Sequence, residues 1–206
     1  MIQVNPKQML FATLFIGVVA VAALALPNLP TTLTAEAAKG RTLVFEIAEN
    51  GLKFVFDETP VHADGLPAYG GEFVTQGYIY PAGTLTCDNN ACNGVNDDGS
   101  PEFPDKVIGE WTCWGFHVGD GAHTTTGPIV VTTQLYSLGD APGSETIVTN
   151  GYELADQNLP FLRAIVGGTG PFALARGEQT QTLLGLNNTD VPNFGVVLRV
   201  ELKVHR

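Results

Sequence analysis

From residue 39 onward the chain alternates between apolar and polar side chains. Val196, Leu198, Val200, Leu202 and Val204 share one face of an extended segment, and Arg199, Glu201, Lys203 and His205 share the other. A period of two marks a strand with one dry and one wet side. Leu43, Phe45 and Ile47 form a second apolar face and Leu52, Phe54 and Phe56 a third, with the hairpin-turn dipeptide Asn50-Gly51 between them. The same pattern predicts strands over Glu72–Tyr80, Val107–Val118, Ile129–Leu138, Glu145–Leu154, Phe161–Val166 and Phe172–Leu183. Gly, Pro, Asn and Asp separate these segments, and no amphipathic helix competes with them. So many short strands predict an all-β fold, either a sandwich or a barrel. An antiparallel barrel removes sheet edges by closure. With eight strands, its interior is either filled by side chains or just wide enough for one small ligand.

Residues 81–106 interrupt the rhythm with Cys87, Cys92, four Asn and four Asp, and little apolar periodicity. Such a stretch is either a functional loop, a lid at one barrel mouth, or a disulfide-pinned surface excursion.

The N-terminus follows different rules. Met9 to Leu26 is an apolar run preceded by Lys7, followed by the helix breaker Pro27-Asn28-Leu29-Pro30 and the small-x-small site Ala35-Glu36-Ala37. Residues 1–37 therefore read as a secretory signal peptide, with an uncleaved membrane anchor as the rival. Either way, the domain from residue 38 to 206 is expected to be secreted or extracytoplasmic, with no membrane insertion once the signal is cleaved. An oxidising compartment permits a short Cys87–Cys92 disulfide, leaving Cys113 in an apolar strand. Pairing of Cys113 with either loop cysteine is the open alternative.

Charge narrows the partners. The chain carries 21 acidic against 10 basic residues, a net −11, and from Phe54 to Leu162 the single basic residue is Lys106. Nucleic-acid binding relies on clustered Lys and Arg, so nucleic acid is not expected as a partner.

The run Phe161-Leu162-Arg163-Ala164-Ile165-Val166-Gly167-Gly168-Thr169-Gly170-Pro171-Phe172-Ala173-Leu174-Ala175-Arg176-Gly177 resembles the allene oxide cyclase and dirigent family: an apolar strand, a Gly-Gly-Thr-Gly turn, a Phe and an Ala-Arg-Gly ending. No Lys follows the glycines and no helix opens, so this is not a phosphate loop. Glu72–Tyr80 and Gly195–Val204 resemble the family's early and closing strands. The resemblance implies an eight-stranded antiparallel barrel, usually a homotrimer, whose apolar lumen steers cyclisation or stereoselective coupling of a small hydrophobic molecule. The chain fits a secreted bacterial member. It departs from the lignan-forming members, which carry an acidic residue where Leu162 and Arg163 stand here, and it adds the 81–106 insertion.

Several chemistries are missing. There is no Gly-x-Ser-x-Gly elbow and no His-Glu-x-x-His motif, and the spacing of His117, Asp120 and His123 around Gly119 and Gly121 does not make a metal site. No metal and no cofactor are expected. The richest segment is Val107–Val118, where Trp111, Cys113, Gly115 and His117 alternate with Glu110, Thr112, Trp114 and Phe116. On a lumen face, the indole could fold a chain and the imidazole could move a proton. Core or trimer packing is the plainer reading of both Trp residues.

Arg163 shares a face with Phe161 and Ile165, where it would polarise a carbonyl or, facing outward, form a salt bridge or trimer contact. Glu178 is a candidate ion-pair partner for this pair of arginines, Arg163 and Arg176, while Glu46 opposes the Leu43/Phe45/Ile47 face and should lie outside the lumen. The candidate catalytic residues are His117, Arg163 and Cys113, and the candidate substrate-binding residues are Trp111, Phe54, Phe161 and Tyr78. A lipocalin-like carrier and a structural cell-surface barrel are the alternatives to a cyclase.

Overall fold

The computed structural model describes residues 40–190 and 195–205; the expected leader, with its Met9–Leu26 run, lies outside them. Alternation becomes strand at β1 (Arg41–Glu49), β2 (Val55–Phe56), β3 (Glu72–Pro81), β4 (Cys87–Asp88), β5 (Ala91–Cys92), β6 (Gly109–His117), β7 (Pro128–Ser137), β8 (Thr146–Leu154), β9 (Phe161–Gly168), β10 (Arg176–Asn187) and β11 (Val196–His205). Strands β11, β1, β3, β6, β7, β8, β9 and β10 pair in that order, each antiparallel to the next, and β10 returns to β11. The result is a closed eight-stranded antiparallel barrel with no free barrel edge.

The Asn50-Gly51 hairpin does not form. Asn50 is extended (φ −91°, ψ 99°) rather than in the positive-φ state a type I′ turn needs, and its side chain caps a short 3₁₀ turn over Gly51–Lys53. The predicted strand at Leu52–Phe56 shrinks to β2, which pairs with β3 and not with β1. Both neighbours of β1 are already taken, by β3 and β11.

The last predicted strand also moves. Phe172 belongs to a 3₁₀ turn over Gly170–Phe172, and β10 begins only at Arg176. Gly170 has φ +54°, and a Cβ there would collide with the Ser144 carbonyl, which explains the glycine in this turn. Phe172 is buried against Phe45, Tyr136, Ile165 and Leu202 inside the barrel.

The 81–106 excursion is a strap packed mainly on the outer wall, and only its hairpin tip, at Asn90, reaches the cavity. Leu85, Cys92, Val95 and Phe103 pack on Ala48, Tyr80 and Val197, which point away from the lumen. The Cys87–Cys92 disulfide closes the β4–β5 hairpin, and β5 pairs in parallel with Leu186 and Asn187 of β10. Tyr78 and Tyr80 anchor the strap by donating to the carbonyls of Gly99 and Gly94, each at 2.7 Å. The strap explains why Phe45 to Glu49 are all buried although they alternate: one face meets the lumen and the other meets the strap. Glu46 therefore lies outside the lumen as its parity predicts, yet fully buried. Its carboxylate accepts from Leu85 N–H and from the Arg199 guanidinium, both at 2.9 Å.

Candidate functional site

The barrel interior changes character along its axis. One end is solid, filled by Phe45, Ile147, Ile165, Phe172, Leu202 and Val204. At the other end, where β1, β6, β8 and β10 finish, lies a half-enclosed cavity of about 520 Å³. That volume suits a small organic molecule. Its walls are mainly apolar: Phe54, Phe73, Trp111, Val130, Leu183, Val196 and Leu198, with Ala122, Thr124 and Ala155 from the surrounding loops. Its polar members are the ionisable Glu49, Cys113, His117 and Glu153, together with Thr75, Asn90, Thr124, Gln157 and Gln181.

Beneath the cavity runs a buried polar layer. Glu153 accepts hydrogen bonds from Thr132 Oγ1 (2.6 Å), Gln181 Nε2 (2.8 Å) and the Cys113 thiol (3.4 Å). Arg163 lies 3.6 Å from the same carboxylate and donates to Thr132 Oγ1 and to the carbonyls of Thr132, Gly151 and Tyr152. Gln179 donates to Gln181 and Gln134, and Tyr136 donates to Gln134. A buried charge needs a partner, and Glu153 and Arg163 supply each other's, although Arg163 Nε, Gln134 Nε2 and Gln179 Oε1 are buried without a hydrogen-bond partner among the described residues. The outward alternative for Arg163 is thereby corrected: its side chain is fully buried and pairs with Glu153. Arg176, by contrast, donates to the carbonyls of Val166 and Ala175, and neither arginine is paired with Glu178.

Glu49 ends β1 on the cavity face and is only 6% exposed. Burial pushes its carboxyl up to about 7, and the nearby Glu153 carboxylate adds to the rise; Thr75 and the Val196 N–H, which donates at 2.7 Å, pull the other way. His117 ends β6, its ring 5.1 Å from Phe73 and its Nδ1 3.2 Å from the Gly71 carbonyl. Burial lowers its pKa, so the ring is held neutral. Burial, with Glu153 beside it, also drives the Cys113 thiol well up, so Cys113 is a thiol and not a thiolate.

The structure therefore brings Trp111, Cys113, His117 and Phe54 to one cavity and sets Arg163 in the layer below it. Phe161 is half-buried on the Arg163 face of β9, opposite Gln181, but does not line the cavity. Tyr78 is on the strap side of β3. His117 and His123 diverge, the first toward the cavity and the second to Asp64 at 2.8 Å. Glu49 and Glu153 were not among the expected site residues. Parity contained the signal for both: Glu49 continues the 43, 45, 47 face, and Glu153 shares a face with Ile147 and Thr149.

No protein-family model matches the chain, and no curated protein matches it. Solved structures do. One pterocarpan synthase dirigent protein (PsPTS1) aligns with TM-score 0.54 and 17% identity, over 82% of this chain and 96% of that one. A second (GePTS1) aligns with TM-score 0.51 and 19% identity, over 89% and 99%. A pyocyanin demethylase aligns with TM-score 0.45 and 15% identity, over 80% and 99%. The order of eight antiparallel strands, the Gly-Gly-Thr-Gly turn and the two alignments above 0.5 agree: the chain has the dirigent-type β-barrel fold.

Proposed function

We propose that the barrel binds a small, largely apolar molecule in its open end and steers that molecule's cyclisation or coupling. The observation that carries this reading is the 520 Å³ cavity with ionisable side chains set in apolar walls. A solid lumen would favour a structural barrel, and a wholly apolar one would favour a carrier. Shape does most of the work: a flexible chain held in one near-attack conformation loses most of its entropic barrier. Glu49, poised about 7, exchanges a proton in either direction at neutral pH, and His117, at the end of β6 two strands away and held neutral by burial, is a second proton acceptor. Cys113 and Arg163 hold Glu153 in place from below.

Two further parts of the reading concern context. The Cys87–Cys92 disulfide supports an extracytoplasmic location. A homotrimer is supported by the outer face of β6 to β9, where Trp114, Phe116, Val131, Tyr152 and Leu162 leave apolar surface exposed.

Native mass spectrometry of the protein purified from its source tests the proposal. A trimer carrying a co-purified apolar molecule is expected, and an unliganded monomer overturns the proposal. With that molecule identified, Glu49→Gln and His117→Ala should slow its conversion at saturating ligand; unchanged conversion would favour the carrier.

A further inference from the structure

We infer that the ligand carries a positive charge, an amine or quaternary ammonium on an aromatic or alicyclic body, received by Glu49 and the aromatic walls of the cavity. The inference rests on the proposed role of the lumen as a ligand site, and three independent features lead to it.

The first is an imbalance of charge. Of the two carboxyl groups lining the cavity, Glu153 is paired with Arg163 and saturated by Thr132, Gln181 and Cys113. Glu49 has no such counterpart. Its Oε2 accepts from the Val196 N–H, but among the described residues no Lys, Arg or His forms an ion pair with it. A carboxyl group that is nine-tenths buried and has no cation beside it is what a ligand ammonium would complete.

The second is the wall chemistry. Phe54 stacks on Phe73 with centroids 5.4 Å apart, Phe73 lies 5.1 Å from His117, and Trp111 lines the same space. Aromatic faces beside a carboxylate are the usual receptor for an organic cation.

The third is the rim. The loops that join strands at the open end carry Asp57, Glu58, Asp64, Asp120, Asp156 and Asp190 against a single Lys53, histidines apart. Such a mouth concentrates cations and repels anions. A carboxylate ligand would meet this rim and then Glu49, while the one lumen arginine among the described residues is sealed under the cavity floor.

The titratable groups sharing the cavity with Glu49 are Glu153, His117 and Cys113. Burial disfavours the charged forms of the latter two and Glu153 is paired with Arg163, so the part of the pH response that Glu49→Gln removes belongs to Glu49. A cation selects its deprotonated form, and affinity must therefore climb as pH rises through about 7.

The test is calorimetric titration of the full protein with phenyltrimethylammonium, whose charge does not titrate, and with tert-butylbenzene, its neutral isostere. At pH 8 the cation should bind roughly tenfold tighter than the isostere, and the gap should narrow below pH 6. Glu49→Gln should abolish both the preference and its pH dependence. Equal affinities, or a preference that persists in Glu49→Gln, would overturn the charge assignment and leave the lumen reading intact. Absence of binding by either probe would overturn both. The pH titration of the unmodified protein decides the matter even where the variant folds poorly.

Discussion

The same eight strands build a solid end and a hollow end, and the difference lies in what their inward positions carry. At the solid end these are Phe45, Tyr136, Ile147 and Ile165, with Phe172 added from the turn after β9. At the hollow end they include Thr75, Cys113, Gly185 and Gly195. Eight strands enclose just enough space for large side chains to fill, so small ones leave a cavity. Between the two ends lies the Arg163–Glu153 layer, which separates a region whose task is stability from one free to bind. Glu46 and Glu49 make the same point on a single strand: the outward carboxylate meets Arg199, and the inward one meets an open cavity.

The comparison is broken most severely at the dividing layer. Arg163→Met removes the partner of Glu153 and leaves a buried carboxylate uncompensated, which should cost about 3–5 kcal/mol in a denaturant titration. Phe172→Ala should hollow the solid end. A fall of about 3 kcal/mol is expected, with a new cavity able to take up xenon or benzene. Little loss of stability would mean that the turn after β9 is not the plug.

Glu49 sharpens the comparison through pH. Its carboxyl binds a proton more tightly folded, at about 7, than unfolded, at 4.5, so its contribution is fully present below pH 4.5 and is lost as pH rises to 7. Relative to Glu49→Gln, the unmodified protein should therefore lose about 3 kcal/mol between those limits, measured as the pH dependence of the difference in unfolding free energy. A flat difference would place Glu49 in contact with solvent.

The smallest effect concerns the strap. Replacing Cys87 and Cys92 together by Ser opens a short loop and should cost about 2 kcal/mol. The associated rise in amide exchange should be confined to the strap and the β10 segment it pairs with. A rise spread over the whole barrel would show the strap to be part of the barrel's own stability.

Much of this architecture was legible in advance because a half-buried strand writes its pleat into the chain. The alternation in β11 and β6 marked inward faces that the structure keeps, including Trp111, Cys113 and His117. It failed where a second layer covers the outer face. β1 buries both sides, one in the lumen and one under the strap, and local turn chemistry at Asn50-Gly51 lost to the pairing of β1 with distant strands. Arg163 was placed on an apolar face correctly, but the direction of that face depended on Glu153, ten residues upstream and one strand away.

Alternation and turn residues by themselves determined an all-β chain of short strands, because period and turn signals are local properties of the chain; the eight-stranded barrel was implied by the resemblance of the run over 161–177. Which carboxyl groups are paired, where the cavity opens and where the insertion lies were decided only by the tertiary structure. Those outcomes depend on strand order and on which side chains meet across the closed lumen, and no local pattern carries that information.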